Sequence, residues 1–543
     1  MYISRLRLTN FLCHQNLKLK LSKGINFFVG NNNSGKTSIL RAVSFLRSGL
    51  GRGQNASDII FRSDESSSDA ECCVMTIITF SPGEVTVNDD ENQGLKNKTI
   101  LNDPAFNKLV DYLFKKKLPD GEEPIYELKI KRLASDPKKI FICKPGSEDE
   151  QAESEDEQTA GSEDEQTWEN PTGIPALVQR LLDPVFVWAE DTPETVADFS
   201  PNKALGKLIG QQLESLKKGN LWKEFKVAHK NLFIENADGH PAEKNFADLV
   251  EATLSALKNK LDEQYGGNNS VRFQFDPPSV ESFTKQGTVI LREENGIETG
   301  LEEKGTGMQR AFALAVIELL ADQTNGMKKN ELFCLDEPTT YLHPRAQIKL
   351  AEALEHLSIE GNQLLITTHS PYMIRNIEQN QDALFMLRAH DGVTTVNLPG
   401  KRADRPRSLS EITYFAFDIP TVEYHIELFG DIYEILNQRK AACRSKLALE
   451  PKDMTIQACG QKMKEIADQQ SIHTEYIVRY DDRIGQQREV KEFLPLGIRN
   501  MIDHPHRDDD PHKDNKFTDA QLKNSIEIMI EILKYLQQKP AKV

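Results

Sequence analysis

Residues 1–400 consist of short apolar runs separated by amphipathic stretches. Residues 1–11 alternate between apolar and polar side chains, which predicts a strand with one buried face. Nearly uninterrupted apolar runs predict buried strands at 25–29, 332–335 and 363–368. A helical period predicts helices at 37–43, 311–321 and 345–357. Strands that alternate with helices in this way indicate an α/β fold for residues 1–400.

The long middle of this region adds elements of both kinds. Further strand-like runs lie at 71–80, 126–132, 139–143 and 184–189. Further helical runs lie at 202–217, 221–232 and 243–264, which we group as a helical insertion over 190–270. These helices are short and carry no sustained heptad repeat, so we do not expect a long coiled coil.

The pattern changes after residue 400. A basic, proline-containing stretch at 401–408 predicts a linker. The helical period then predicts helices at 422–439, 454–469, 488–502 and 518–538, and hence an all-α domain over 401–543.

The net charge of −16 is concentrated in one segment. Residues 144–170 carry eleven acidic residues against one lysine, and repeat the letters SEDEQ three times. So polar a segment buries too little apolar surface to offset the entropy lost on ordering, which predicts a disordered acidic insertion. It could be a solvated loop or a docking tail for a basic partner. The remainder is only mildly acidic, so charge neither requires nor excludes a nucleic-acid partner.

The sequence gives no sign of a membrane or of an oxidising compartment. No apolar run approaches the roughly 20 residues that a membrane span needs. The seven cysteines show neither C-x-x-C pairs nor zinc-ligand spacing. We therefore expect a cytoplasmic protein with no membrane partner.

A phosphate-binding motif follows the predicted strand at 25–29. Residues 30–37 fit G-x-x-x-x-G-K-[ST], whose glycines let backbone N–H groups surround phosphates at a helix N-terminus. The lysine of this motif reaches the β- and γ-phosphates, and its hydroxyl residue binds Mg²⁺. We expect nucleotide-binding at Gly30, Asn31, Asn32, Asn33, Ser34, Gly35, Lys36, Thr37 and Ser38.

Two later strand ends supply complementary chemistry. Four apolar residues lead into Asp336 and Glu337, the Walker B pattern. Asp336 is predicted to hold Mg²⁺ together with Thr37, and Glu337 to act as general base towards water. His369, which follows the strand at 363–368, lies where a γ-phosphate sensor is expected. The predicted catalytic residues are thus Lys36, Glu337 and His369.

Together with the stretch Lys304-Gly-Thr-Gly-Met-Gln-Arg310, these motifs resemble the heads of ABC-type ATPases, in particular the RecF/SMC/OLD-like (AAA15/AAA21) branch. The resemblance implies ATP and Mg²⁺ as cofactors. It also implies that Thr306, Gly307 and Gln309 form a signature that binds the γ-phosphate held by a partner, in a homodimer or higher homo-oligomer. A toprim nuclease domain, which OLD relatives carry, is not indicated by the C-terminal pattern.

The C-terminal region contains R-N-x-x-x-H, which resembles the motif of HEPN ribonucleases. The resemblance implies that Arg499 stabilises the scissile phosphate, Asn500 orients the histidine, and His504 acts as acid and base. Two alternatives stay open. Arg499 and His504 could simply finish a helix, or His504, His506, His512 and residues 508–510 could bind a metal.

Three functions are compatible with this sequence. The first is an ATPase that dimerises around ATP and controls a nuclease or toxin in bacterial anti-phage defence, with its own HEPN-like ribonuclease acting on RNA. The second is an ATPase that regulates a separately encoded effector nuclease through a non-catalytic C-terminal adaptor. The third is a RecF-like DNA-repair ATPase, which the lack of a continuous basic stripe along the sequence disfavours.

Overall fold

A computed structural model provides the architecture. Of the 543 residues, it describes 1–51, 53–61, 71–89, 96–100, 103–116, 123–145, 167–189, 198–199, 204–233, 246–265, 279–280, 282, 287–292, 296–323, 331–340, 342–375, 382–388, 392–395, 408–446, 453–481, 488–503 and 516–538.

The alternating N-terminal pattern forms the first strand of a seven-stranded antiparallel sheet, called here the outer sheet. Its strands are β1 (Tyr2–Phe11), β2 (His14–Lys20), β4 (Cys73–Phe80), β7 (Leu113–Lys116), β8 (Ile125–Leu133), β9 (Phe141–Cys143) and β10 (Trp168–Glu169). They lie in the order β10-β9-β8-β4-β1-β2, and β7 pairs with β8 beside β9. One face of this sheet is apolar and buried, as the period of two requires.

The apolar runs form a second, six-stranded sheet, called here the central sheet. It contains β3 (Ile25–Gly30), β11 (Val185–Val187), β14 (Leu332–Asp336), β15 (Gln363–Thr367), β16 (Ala383–Arg388) and β17 (Gly392–Thr395). Their order is β11-β14-β15-β3-β16-β17, and all neighbours are parallel except the last pair. Strands β3, β14 and β15 are buried throughout, as expected of parallel strands covered on both faces.

Three two-stranded ribbons complete the strands, namely β5 (Val85–Asp89) with β6 (Lys96–Ile100), β12 (Ile290–Arg292) with β13 (Glu298–Gly300), and β18 (Tyr476–Asp481) with β19 (Arg488–Phe493). The α-helices are α1 (Lys36–Ser48), α2 (Ile174–Leu181), α3 (Ala204–Leu208), α4 (Gly210–Lys218), α5 (Asn220–Phe233), α6 (Phe246–Tyr265), α7 (Thr306–Gln323), α8 (Pro344–Ile359), α9 (Pro371–Ile374), α10 (Leu409–Phe417), α11 (Val422–Lys446), α12 (Ile456–Gln469), α13 (Leu494–Asp503) and α14 (Asp519–Gln538). Short 3₁₀ segments span Ala56–Asp58, Pro104–Tyr112 and Leu301–Glu303. Helices α3 to α6 lie within the predicted insertion at 190–270.

Helix α1 packs between the two sheets, inside the first hydrophobic core. Arg132 of β8 is 1% exposed and caps the C-terminal end of this helix. Its Nε donates to the Leu46 carbonyl at 3.0 Å and its Nη2 to the Arg47 carbonyl at 3.2 Å. These bonds satisfy carbonyls that have no partner within the helix, so Arg132 ties the outer sheet to α1.

Helix α10 belongs to two cores. Ile412 and Ala416 pack with the apolar side chains of the central sheet and α8. Tyr414, on another face of the same helix, packs in the core formed by α11 to α14. Ser408 and Ser410 at its start donate to Glu427 of α11, at 2.6 Å and 2.8 Å. Helix α10 therefore joins the central sheet to the C-terminal helices.

The C-terminal prediction needs one correction. Three of the four predicted helices are observed as α11, α12 and α14, but the fourth begins only at Leu494, because residues 488–493 form a strand. Pro495 lies in the first turn of α13, where its missing N–H does no harm, whereas it would interrupt a helix over 488–502. The region is therefore mainly, not entirely, helical.

Two predicted segments fall mostly outside the described residues, namely the acidic repeats at 147–166 and the linker at 401–407. Among the helices that are described, none is long and apolar enough to cross a bilayer.

Candidate functional site

The phosphate-binding loop joins β3 of the central sheet to α1. Gly30 has φ 144° and Gly35 has φ 92°, a region that side chains strain to adopt. A Cβ on Gly30 would lie 2.3 Å from the Leu387 carbonyl oxygen, and one on Gly35 would lie 2.5 Å from the His14 ring. Both positions therefore require glycine, as the motif predicts.

Within the loop, the lysine and the serine point inwards. Lys36 is the first residue of α1, is 6% exposed, and donates to the carbonyls of Gly30 and Asn31 at 3.1 and 3.0 Å. Ser34 is buried, and its Oγ has no hydrogen-bond partner among the described residues. Asn31, Asn32 and Asn33 are exposed, while Thr37 and Ser38 occupy the first turn of α1. An orphaned hydroxyl beside a buried ammonium suits an anion such as a phosphate group.

Thr37 contacts the end of strand β14. Its Oγ1 donates to Asp336 Oδ1 at 3.0 Å. Thr367 Oγ1 donates to the same oxygen at 2.7 Å. The parallel register pairs Asp336 directly with Thr367, so the contact follows from the sheet itself. Thr367 was not predicted as a site residue.

Glu337 follows Asp336 and faces His369. Its backbone N–H donates to Thr367 Oγ1 at 2.9 Å, and its Oε2 accepts from the His369 N–H at 3.2 Å. Its Oε1 lies 3.3 Å from His369 Nε2, yet accepts no hydrogen bond from a described residue. Glu337 has φ 46°, an unusual backbone conformation for a residue with a side chain.

The electrostatics of the group follow from its burial. Burial raises the pKa of Glu337, against the attraction of Lys36 and the backbone hydrogen bond from His369. Burial lowers the pKa of Lys36, against the attraction of Glu337 and Asp336. Burial also lowers the pKa of His369, with a further contribution from Lys36. Shifted pKa values in one cluster of ionisable groups are typical of catalytic sites.

Cys13 in the turn between β1 and β2 and His14 at the start of β2 also contact the loop, which the sequence did not indicate. His14 Nε2 lies 3.1 Å from the Gly35 carbonyl oxygen, and Cys13 Sγ lies 3.3 Å from Ser38 Oγ. His14 is buried, whereas Cys13 is exposed. A histidine 21 residues upstream of Gly35 carries no motif, so only the fold reveals the contact.

The signature residues are positioned apart from this group. Thr306 and Gly307 lie in the first turn of α7, which begins five residues earlier than predicted, and Thr306 is exposed. Gln309 Nε2 donates to the Lys304 carbonyl at 2.7 Å, which holds the preceding turn. Among the described residues, Thr306, Gly307 and Gln309 form no hydrogen bond or ion pair with Lys36, Asp336 or Glu337.

The C-terminal candidates are engaged in the local structure. The Arg499 guanidinium pairs with Asp503 and lies 5.3 Å from the ring centre of Phe429. The Asn500 Nδ2 donates to Glu492 Oε2 at 3.0 Å, with both residues buried. His504, and with it the alternative metal ligands at 506–512, lies outside the described residues.

The assembled group can hold a magnesium nucleotide. Thr37 and Asp336 present a hydroxyl and a carboxylate, the oxygen ligands that Mg²⁺ prefers. The loop supplies backbone N–H groups, a helix N-terminus and a buried lysine to polyphosphate. Oε1 of Glu337 can accept a hydrogen bond from a water molecule.

Comparison with known proteins agrees with this geometry. The family model AAA_15, described as an AAA ATPase domain, matches residues 1–374. The Old nuclease of Escherichia phage P2 is 28% identical over 224 residues, 38% of this chain and 36% of that protein. Structural maintenance of chromosomes protein 6 of Saccharomyces cerevisiae is 24% identical over 356 residues, 61% of this chain and 28% of that protein. The chain thus covers only about a third of these two relatives.

Solved structures show more distant similarity. An SmcHead bound to the C-winged helix domain of ScpA matches with a TM-score of 0.35 and 14% identity, over 73% of this chain and 98% of that one. RecF bound to ATP matches with a TM-score of 0.33 and 12% identity, over 73% of this chain and 99% of that one. The match of the family model over residues 1–374 shows that the chain belongs to the AAA_15 family of AAA ATPase domains.

Proposed function

We propose that this protein hydrolyses Mg-ATP, that two copies close around two ATP molecules, and that this closure controls a nuclease. ATP binding follows from the ATPase domain; hydrolysis, Mg²⁺ and dimerisation are our inferences. The observation that carries them is the cluster at the ends of β3, β14 and β15, where Lys36, Thr37, Asp336, Glu337 and His369 converge.

Each residue has a defined task in hydrolysis. Lys36 and the α1 N-terminus bind and neutralise the phosphates. Thr37 and Asp336 would hold Mg²⁺, which supplies charge neutralisation of the β- and γ-phosphates. Glu337 accepts a hydrogen bond from the attacking water and orients it; its raised pKa makes it a better proton acceptor. His369, neutral because its pKa is lowered, places a hydrogen-bonding ring beside Glu337.

The proposed dimer is supported by the position of the signature turn within one chain. The signature turn at Gly305 is open, since a Cβ there would meet nothing within 4 Å, and Thr306 is exposed. No bond joins these described residues to the phosphate-binding loop of their own chain. A partner's γ-phosphate is the ligand that the ABC-type resemblance implies for such a turn.

The controlled activity is inferred from the relatives. The Old nuclease is similar over 38% of this chain, which supports a nuclease as the effector. Since Asn500 is bound to Glu492 and Arg499 to Asp503, we favour a non-catalytic C-terminal adaptor that acts on a separately encoded nuclease. The intrinsic HEPN-like ribonuclease is the second candidate, and a role in phage defence stays a prediction from the resemblance.

The catalytic assignment is tested with Glu337→Gln. We expect ATP turnover to fall about 100-fold or more, because the water loses its proton acceptor, and ATP-bound dimers to accumulate in light-scattering chromatography. Lys36→Ala should lose ATP binding and form no such dimer.

The matched control is Glu352→Gln, which removes an exposed carboxylate from α8 and should leave turnover unchanged. Normal ATP turnover in Glu337→Gln would exclude Glu337 as the general base.

The choice between the intrinsic ribonuclease and the adaptor is tested separately with His504→Ala. Cellular RNA that is cleaved by the wild type but not by this variant would favour the intrinsic ribonuclease.

A further inference from the structure

Gln347, near the start of α8, joins two chain segments that flank the proposed general base. Its Nε2 donates to the Leu342 carbonyl at 2.7 Å, and its Oε1 accepts from the Ser370 hydroxyl at 2.6 Å. Leu342 lies at the end of the turn that follows Glu337, and Ser370 directly follows His369. One side chain therefore connects the segment behind the base to the segment that carries the histidine.

The two bonds of Gln347 complete a closed ring of contacts around the site. On one side of the ring, Thr340 donates its hydroxyl and its N–H to the Glu337 carbonyl, at 2.9 and 3.1 Å, and so folds the turn. On the other side, the His369 N–H donates to Glu337 Oε2 at 3.2 Å. Gln347 closes the ring between the turn and the histidine segment. Groups held in such a network keep their relative positions better than groups held singly.

The partners of Gln347 determine how its amide is oriented. The Leu342 carbonyl can only accept a hydrogen bond, so the amide NH₂ faces it and the amide oxygen faces Ser370. The Ser370 hydroxyl then donates to the amide and accepts from the Tyr372 N–H at 3.2 Å. Ser370 is 8% exposed, so a polar group left unpaired here would be costly. The position therefore requires a side chain that presents a donor and an acceptor at the same end.

We propose that Gln347 is a positioning residue that holds His369 beside Glu337. The His369 side chain is 42% exposed, so packing alone does not fix it. Its segment is held instead through the next residue, Ser370, which Gln347 binds. This role rests on the proposed function, because it serves the same hydrolytic site. The phosphate-binding residues belong to the loop and α1, so loss of the bridge should slow hydrolysis without weakening ATP binding.

The kinetic test compares Gln347→Glu with Gln347→Met. At pH 8 the new carboxylate has no donor for the Leu342 carbonyl, so we expect kcat to fall about tenfold or more while the KM for ATP stays within about twofold. A protonated carboxyl has the donor and acceptor of the amide, and burial raises its pKa. The ratio of variant to wild-type kcat should therefore rise from pH 8 to pH 6. Gln347→Met, which has no donor at any pH, should lose kcat without this recovery.

A second measurement needs no nucleotide. Diethyl pyrocarbonate modifies accessible neutral imidazole rings, and mass spectrometry of peptides gives the rate of modification at each histidine. In both Gln347 variants at pH 8, we expect His369 to be modified several-fold faster than in the wild type, because its ring leaves Glu337 more often. His356, which is exposed in the last turn of α8, is the internal reference and should keep its wild-type rate.

The control is Lys349→Gln, which makes the same net charge change as Gln347→Glu at an exposed position of the same helix. It should match the wild type in kcat and in His369 modification. Wild-type values of both in the two Gln347 variants, or no recovery of Gln347→Glu at low pH, would overturn the role of Gln347. Normal turnover in Glu337→Gln would instead overturn the proposed function, while faster His369 modification in Gln347→Met would still support the bridge.

Discussion

At the scale of single residues, Thr367 is the connection between the two acidic residues of the site. Its hydroxyl donates to Asp336 and accepts from the Glu337 N–H, at 2.7 and 2.9 Å. It touches neither nucleotide nor water in our mechanism, so it is a positioning residue. Because this buried hydroxyl both donates and accepts a hydrogen bond, it fixes two groups. They are the Asp336 carboxylate, which would bind Mg²⁺, and the backbone of Glu337, the proposed general base.

We predict that Thr367→Val lowers kcat about 10- to 100-fold, the range for losing a residue that orients a metal ligand. It should also raise the Mg²⁺ concentration needed for half-maximal binding of a fluorescent ATP analogue. Binding of the same analogue in EDTA should stay unchanged. Thr367→Ser, which keeps the hydroxyl, should restore both properties; an unaffected Mg²⁺ requirement in the valine variant would contradict this role.

Some site residues belong to sequence motifs and others do not, and only the first kind could be predicted from the sequence. Gly30, Lys36 and Asp336 stand in motifs whose spacing fixes their chemistry, and the structure brings Lys36 and Asp336 to one site. Thr367 and His14 carry no motif, because their contacts arise from strand register and from a turn folding onto the loop. Such contacts depend on neighbours distant in sequence, which a single sequence does not reveal.

At the scale of elements, α10 is the link between the ATPase sheet and the C-terminal helices. Ile412 and Ala416 pack in the same core as Met373 and Ile374 of α9, which begins two residues after His369. On its other side, α10 is attached to the C-terminal helices by Tyr414 and by the serines that donate to Glu427. The predicted domain boundary near residue 400 therefore precedes a helix that serves both parts.

We predict that Ile412→Ala lowers the free energy of unfolding by about 2–5 kcal/mol, since Ile412 is 0% exposed and the substitution leaves a cavity. Ile419→Ala is the matched control: Ile419 is 52% exposed just beyond the same helix, and its loss should cost within about 0.5 kcal/mol. Urea unfolding of both variants measures the difference. Equal destabilisation would show that α10 is not held by the central core.

Element prediction failed where tertiary pairing outweighed local preference. The glutamate and lysine residues in 488–493 favour a helix, but the segment pairs with β18 over six residues, from Tyr476 opposite Phe493 to Asp481 opposite Arg488. The helices α11 and α14 could be predicted because each carries a periodic apolar face, and this face alone indicates which side of the helix is buried.

At the scale of the whole molecule, stability should depend on pH through His425. This histidine is 0% exposed in the C-terminal core, and its Nε2 lies 2.9 Å from Ser525 Oγ. Burial, helped by the charge of Arg499, lowers its pKa to about 3. Its pKa in the unfolded chain is about 6.5, so the unfolded state binds an extra proton between these values.

We predict that the contribution of His425 to stability is complete above about pH 6.5 and declines by about 1.4 kcal/mol per pH unit between pH 6.5 and 3. Urea unfolding at pH 7.5, 6 and 5 measures this. His425→Gln should be less stable at pH 7.5 but should lose less stability on acidification. An identical pH slope in the variant would exclude His425 as its source.

Whole-molecule charge also shows what composition conceals. The excess of acid lies at 144–170, whereas strand pairing in the outer sheet places six cations on one face, namely Arg5, Arg7, Lys18, Lys20, Lys129 and Lys131. The lack of a continuous basic stripe in the sequence therefore does not mean that basic residues are scattered over the surface. Strand order, which no local pattern contains, determines it.

The left-handed backbone of Glu337 has a consequence for how this ATPase can be engineered. A side chain at φ 46° costs about 1 kcal/mol or more, which the surrounding fold must offset. Glu337→Gly should therefore melt at a higher temperature than the wild type in differential scanning calorimetry, while turning over no ATP. If Glu337 is the general base that we propose, thermal stability and catalysis oppose each other at this position. A more heat-stable variant that still hydrolyses ATP then requires stabilising substitutions at other positions.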